Sequence, residues 1–179
     1  MGNYALVTDD GPQSGFEELY RAHYARITRL CRLLLRDAQE AEEAAQEVFL
    51  KLLRTSKGLS RPMVWEAWLT RVALNTCRDR QRSWWWRRRR AETMEEQMLQ
   101  LPSIEPTPEE TTVSREQRER IWQFLRGLST RQQEVFVLRY VEGWSGEEVA
   151  EFLGLTPGSV KRHLFRAVHH MRQALGGQS

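Results

Sequence analysis

Cysteine, proline and long apolar runs are all scarce in this chain. Among its 179 residues there are two cysteines, Cys31 and Cys77, each at an apolar position of a helical pattern. So few thiols exclude a disulfide-stapled scaffold and read as buried, reduced packing residues of a cytoplasmic protein, with redox sensing as the alternative. A zinc site would need further ligands near them, and none is present at suitable spacing, so no metal or other cofactor is expected. No apolar stretch approaches the ~20 residues of a membrane-crossing helix, and Met1 to Gly15 is polar without a signal-peptide core. Charge of one sign is lacking too: 27 Lys and Arg against 24 Asp and Glu leave a formal net charge of +3. So small an excess does not by itself point to nucleic acid.

The distribution of that charge says more. Arg78, Arg80, Arg82 and Arg87 to Arg90 form a basic block, followed by Glu92, Glu95, Glu96, Glu105, Glu109 and Glu110. A local basic patch beside an acidic tether can bind DNA although the total charge nearly balances. The run Trp84 to Trp86 stands within this block and suits either packing or stacking on unpaired bases.

Helical periodicity accounts for most of the rest. Leu19, Tyr20, His23, Tyr24, Ile27, Leu30, Cys31 and Leu34 recur on one face and predict an amphipathic helix from Phe16. Asp37 with Glu40 reads as a capping box opening a second helix to about Arg54. In it Ala41, Ala45, Val48 and Leu52 face inward, and Glu43, Gln46, Glu47, Leu50 and Arg54 face outward. A loop with Gly58 and Pro62 leads to a third helix, from Val64 to about Arg82, burying Trp65, Trp68, Leu69, Val72, Ala73 and Thr76. Its other side carries Arg71, Asn75, Arg78 and Arg82 in one narrow sector, suited to phosphates and to a base edge.

Residues 84–113, with Pro102, Pro106 and Pro108 among many Glu, suit an extended linker. Helices then resume: Ile121, Phe124, Leu125 and Leu128 form one stripe, and Ser129 with Gln132 opens a helix carrying Val135, Phe136 and Tyr140. The fold class expected is all-α, two small helical domains joined by an extended linker. The boundaries are a flexible N-terminus 1–15, a helical bundle 16–83, the linker 84–113, a second helical domain 114–175 and a flexible tail 176–179.

The last two helices carry the most specific pattern. Ser145 with Glu148 makes a capping box, Gly154 supplies a left-handed stop, and Thr156 with Pro157 opens the next helix. Ala150 lets the backbones approach while Val160 packs onto Val149 and Leu153, the spacing of a helix-turn-helix. Val160, Leu164, Ala167, Val168, Met171 and Leu175 then share the inner face. Ser159, Arg162, Arg166 and His169 lie opposite, flanked by Lys161 and His163, as a helix in a DNA major groove requires.

Taken in order, four segments resemble the extracytoplasmic-function sigma factors, the small bacterial initiation factors of RNA polymerase. Asp37 to Leu50 is similar to the segment that docks on the polymerase clamp helices, and Trp65 to Asn75 to the strand-opening helix. Leu128 to Phe136 and Gly158 to Ala167 are similar to the C-terminal domain. In three places the chain departs from the family pattern: Glu43-Ala44 replaces the usual Asp-Leu, His163 stands where Arg is frequent, and the Trp84 to Arg90 run is additional.

The resemblance implies a sigma region 2-like bundle, a region 4-like helix-turn-helix and no catalytic residues. Glu43, Gln46, Glu47, Leu50 and Arg54 would grip core RNA polymerase. Ser60, Arg61, Trp65, Arg71, Asn75, Arg78 and Arg82 would engage the −10 element as duplex and melted strand. Pro157, Ser159, Lys161, Arg162, His163 and Arg166 would hold the −35 element. An anti-sigma factor is the further partner implied, and the free chain is expected to be a monomer without membrane insertion. A stand-alone helix-turn-helix repressor or activator is the alternative, although no dimer seam or ligand pocket is evident. A helical nuclease using Glu42, Glu43 and Glu47 would need His or Asp partners that the spacing does not supply.

Overall fold

The computed structural model describes residues 11–35, 37–56, 64–91 and 115–175. Among these there are seven helices and no strand: α1 (Gly11–Leu34), α2 (Ala38–Ser56), α3 (Trp65–Ala91), α4 (Arg115–Gly127), α5 (Thr130–Tyr140), α6 (Gly146–Leu153) and α7 (Pro157–Leu175). The all-α class is as the periodicity predicts. The chain divides into two compact units, Met1–Ser103 and Ile104–Ser179.

In the first unit α1 packs on α2 and α3, and α2 packs on α3. Ile27, Leu30 and Leu34 of α1 meet Ala41, Ala45, Val48 and Leu52 of α2 and Leu69, Ala73 and Leu74 of α3, all buried. The alanines set the close approach, and each fully buried leucine contributes about 2 kcal/mol relative to exposure. Cys31 and Cys77 are free thiols within this core. Polar ties cross the same interfaces: Gln81 Nε2 donates to the Leu34 carbonyl at the end of α1 (2.6 Å), and Arg26 Nη1 donates to Thr70 Oγ1 (3.1 Å).

Two element ends differ from the sequence expectation. Helix α1 begins at Gly11, ahead of Phe16, and α3 continues past Arg82 to Ala91. The second difference has a local cause: Trp84 to Arg90 holds no glycine or proline, and arginine is a strong helix former. The helix therefore occupies the first part of 84–113, and the three prolines fall beyond the described residues.

The second unit is built from local signals. Ser129 and Gln132 exchange the two bonds of a capping box at α5, and Ser145 and Glu148 do the same at α6, with Glu148 N–H to Ser145 Oγ at 3.1 Å. Gly154 closes α6 in the left-handed region (φ 64°), where a Cβ would be strained. Thr156 Oγ1 accepts from Ser159 N–H (3.2 Å) to cap α7. Val149, Ala150 and Val160 are buried where α6 meets α7.

In α5, Val135, Val137 and Leu138 are buried. Tyr140 and Ile121, both counted inward from their spacing, are exposed instead (57% and 42%). Each lies at the edge of its stripe, where periodicity gives direction but not how far a neighbouring helix reaches. Glu134, on the hidden side, is buried and accepts from Arg131 Nη1 (3.0 Å). Helices α4 and α7 meet so closely that a Cβ on Gly127 would fall 1.8 Å from His170 Nε2.

Candidate nucleic-acid interface

Helix α7 owes its orientation to the turn at Gly154 and to an apolar inner face anchored by Val160 and Ala167. That packing leaves Pro157, Lys161, Arg162 and Arg166 exposed, with Ser159 and His163 half-buried. Ser159 Oγ lies 3.0 Å from Thr156 Oγ1 and accepts from Arg162 Nη2 (3.2 Å). The cap therefore also positions the first arginine of the outward face. Burial pushes the His163 imidazole below 6.5, and Arg131, Arg166 and Arg162 act in the same direction. A neutral ring is thus kept among cations, with Nδ1 buried and unpaired in the protein.

Sequence reading missed Phe165. Its ring is 75% exposed and lies parallel to that of His169, with centroids 6.4 Å apart. The signal was present, since Phe165 falls off the inner stripe between His163 and Arg166. An apolar ring there can meet a thymine methyl or the sugar edge of a groove.

The second candidate surface lies on α3. Arg71, Asn75 and Arg82 are exposed and Arg78 is half-buried, and Arg78 Nη1 donates to Asn75 Oδ1 (3.2 Å). Trp65 packs edge-on against Trp68, with centroids 5.8 Å apart, so the aromatic side of the helix starts at its first turn. Ser60 and Arg61 lie outside the described residues.

The third surface lies on α2, where Glu43, Gln46, Leu50 and Arg54 are exposed and Glu47 is half-buried. The Asp37 cap is formed, with Glu40 N–H donating to Asp37 Oδ1 (2.8 Å). The Glu40 carboxylate itself accepts from Arg80 of α3 (2.8 Å). The same guanidinium reaches Glu43 (3.1 Å) and Glu47 (3.4 Å). Hydrogen bonding from Arg80, then from Gln39, holds Glu43 below the ordinary 4.5, and Lys51 does most to lower Glu47. In the sequence Arg80 stands out only as part of a basic block. Among the described residues no group of three or more His, Cys, Asp or Glu could hold a metal ion, and no helix is long and apolar enough to cross a membrane.

Both helical units match known families. Residues 19–87 match the family model for sigma-70 region 2, and residues 118–171 match that for sigma-70, region 4. The chain is 30% identical over 168 residues to the RNA polymerase sigma factor CarQ of Myxococcus xanthus, covering 93% of this chain and 92% of that protein. It is 28% identical to the ECF RNA polymerase sigma factor SigW of Bacillus subtilis, covering 92% and 91%. Among solved structures, the sigma factor RpoE of Bartonella quintana, in complex with the anti-sigma factor NepR, shares the fold with a TM-score of 0.73 at 18% identity, over 92% of this chain and 99% of that one. Sigma factors are non-catalytic regulators of RNA polymerase. With two sigma-70 regions in order and a full-length relative at this identity, the chain belongs to the extracytoplasmic-function sigma factors and is an alternative sigma factor directing promoter recognition and transcription initiation.

Proposed function

We propose that the chain grips a promoter at two points while held on core RNA polymerase, and that it performs no chemistry of its own. Pro157, Ser159, Lys161, Arg162, His163 and Arg166 of α7 hold the duplex −35 element. Arg71, Asn75, Arg78 and Arg82, with Trp65 and the segment of Ser60 and Arg61, engage the −10 element and its melted strand. The outward side of α2, with Glu43, Gln46, Glu47, Leu50 and Arg54, docks on the polymerase. The domains are those of the sequence reading, 16–83 and 114–175, except that α3 carries the first to Ala91 and the tether of 84–113 begins after it. The protein works in the cytoplasm, is monomeric when free and is held inactive by an anti-sigma factor.

The observation that carries this reading is the capped helix-turn-helix inside the region 4 match, which turns Lys161, Arg162 and Arg166 outward. Each DNA contact is modest alone, and tethering both to one polymerase multiplies them. The comparisons name sigma factors rather than stand-alone regulators. The test is reconstitution. The purified chain should co-elute with core RNA polymerase and direct transcription from promoters recovered with that complex; failure of both would overturn the reading. Asn75→Ala should lower open-complex formation about tenfold while sparing duplex binding, and an equal loss in duplex binding would remove Asn75 from that role.

A further inference from the structure

Arg80 has no part in the roles assigned above. It belongs to α3, yet its guanidinium turns away from the Arg71–Arg82 face and reaches α2, where Nη1 donates to Glu40 and Glu43 and Nη2 to Glu47. Glu47 is shared: its Oε1 pairs with Lys51 (2.8 Å), and Lys51 Nζ also donates to Thr76 Oγ1 of α3 (3.0 Å). Carboxylates at positions 40, 43 and 47 lie on successive turns of one helix side and repel one another. Arg80 and Lys51 offset that repulsion.

The depth of these groups matters. The Arg80 side chain is 23% exposed, against 49% for Glu43 and 41% for Glu47. The cation therefore lies beneath and the acids at the rim. A cationic partner approaching the rim meets carboxylates already engaged from behind, and at short range it also meets the repulsion of Arg80 itself.

We propose that Arg80 is an internal counter-ion of the docking side of α2, occupying Glu43 and Glu47 from within and so lowering the affinity with which core RNA polymerase engages them. This rests on the assignment of Glu43 and Glu47 to polymerase docking. The depressed titration of both carboxylates agrees with their being engaged in the free protein. Arg80 would then keep the free factor exchangeable, since tight docking would slow its release once initiation is over.

The experiment is a titration of labelled full-length protein with core RNA polymerase over a series of salt concentrations. Arg80→Met keeps most of the side-chain volume and removes the charge. It should bind about three- to tenfold tighter at low salt, with the gain fading as the ionic strength rises and screening shortens. Arg80→Lys should stay near wild type, and Arg80→Met should bring no gain in a Glu43→Gln/Glu47→Gln background. Glu40→Gln removes an acid outside the docking set and concentrates Arg80 on the other two, so it should weaken binding about twofold. That variant keeps the test alive if Arg80→Met melts early. A folded Arg80→Met protein that binds no tighter at low salt, or a gain that survives in the double-Gln background, would overturn the counter-ion role. Wild-type binding by Glu43→Gln/Glu47→Gln itself would overturn the docking assignment, and the inference with it.

Discussion

Arg80 of α3 is held by three carboxylates of its own domain, whereas the charged groups acting on His163 of α7 are all arginines. Both helices are basic, and they dispose of that charge in different ways. Helix α7 has no acid of its own and its cations gather on the outward side, so the field points to an anionic ligand. On α3 the charge is divided: one side of the helix faces outward with Arg71 and Arg82, while Arg80 ties the helix to α2. A helix built for one contact can be uniformly charged. One that also packs against an acidic neighbour has part of its charge neutralised there.

The comparison can be broken most severely through the core. Leu138 is fully buried, so Leu138→Ala should cost the second unit about 2–5 kcal/mol. Calorimetry should show the C-terminal transition lowered and the N-terminal one unmoved; a joint shift would mean that the two regions do not melt separately. Next comes Arg166→Ala, which should cost about 1–3 kcal/mol at one upstream base pair if the guanidinium reads a base. Measured across a set of mutated promoters, an even loss would instead mark Arg166 as a phosphate clamp.

The smallest effect is expected from acid. Glu43 and Glu47 titrate below the ordinary 4.5 when folded. A carboxylate depressed by folding adds stability above its unfolded value, and that stability is lost as the pH falls through the folded one. The melting temperature of the first unit should therefore decline a little as the pH is taken below about 4.5, and Arg80→Met should flatten that decline. An identical slope in both proteins would count against the clamp as its source. Both groups face solvent, which keeps the effect small.

Much of the C-terminal unit was legible because its signals are local. Ser129 with Gln132, Ser145 with Glu148, Gly154 and Thr156 with Pro157 each act within four residues, and the backbone follows them. The inward stripe of α2 was legible for the same reason, from Ala41 to Leu52. Arg80 was not, because its acids lie between 33 and 40 residues away in the chain and helical spacing cannot say which neighbour a long side chain reaches. Phe165 escaped for another reason: its place off the inner stripe of α7 shows in the spacing, but how far its ring stands clear of cover does not. The outward side chains of α2 and α7 were placed correctly by periodicity, while what they bind rests on the family.

The contact of His170 with Gly127 bears on how such proteins can be recombined. A side chain at 127 would overlap the His170 ring unless that ring turned away, so the helix that enters the second unit and the helix that reads DNA are fitted to each other. Exchanging α7 alone between relatives would import a reader without the notch that seats its tail. A transplant cut before α4 would carry both halves of the fit, and the natural unit of inheritance for promoter preference is then the whole four-helix module.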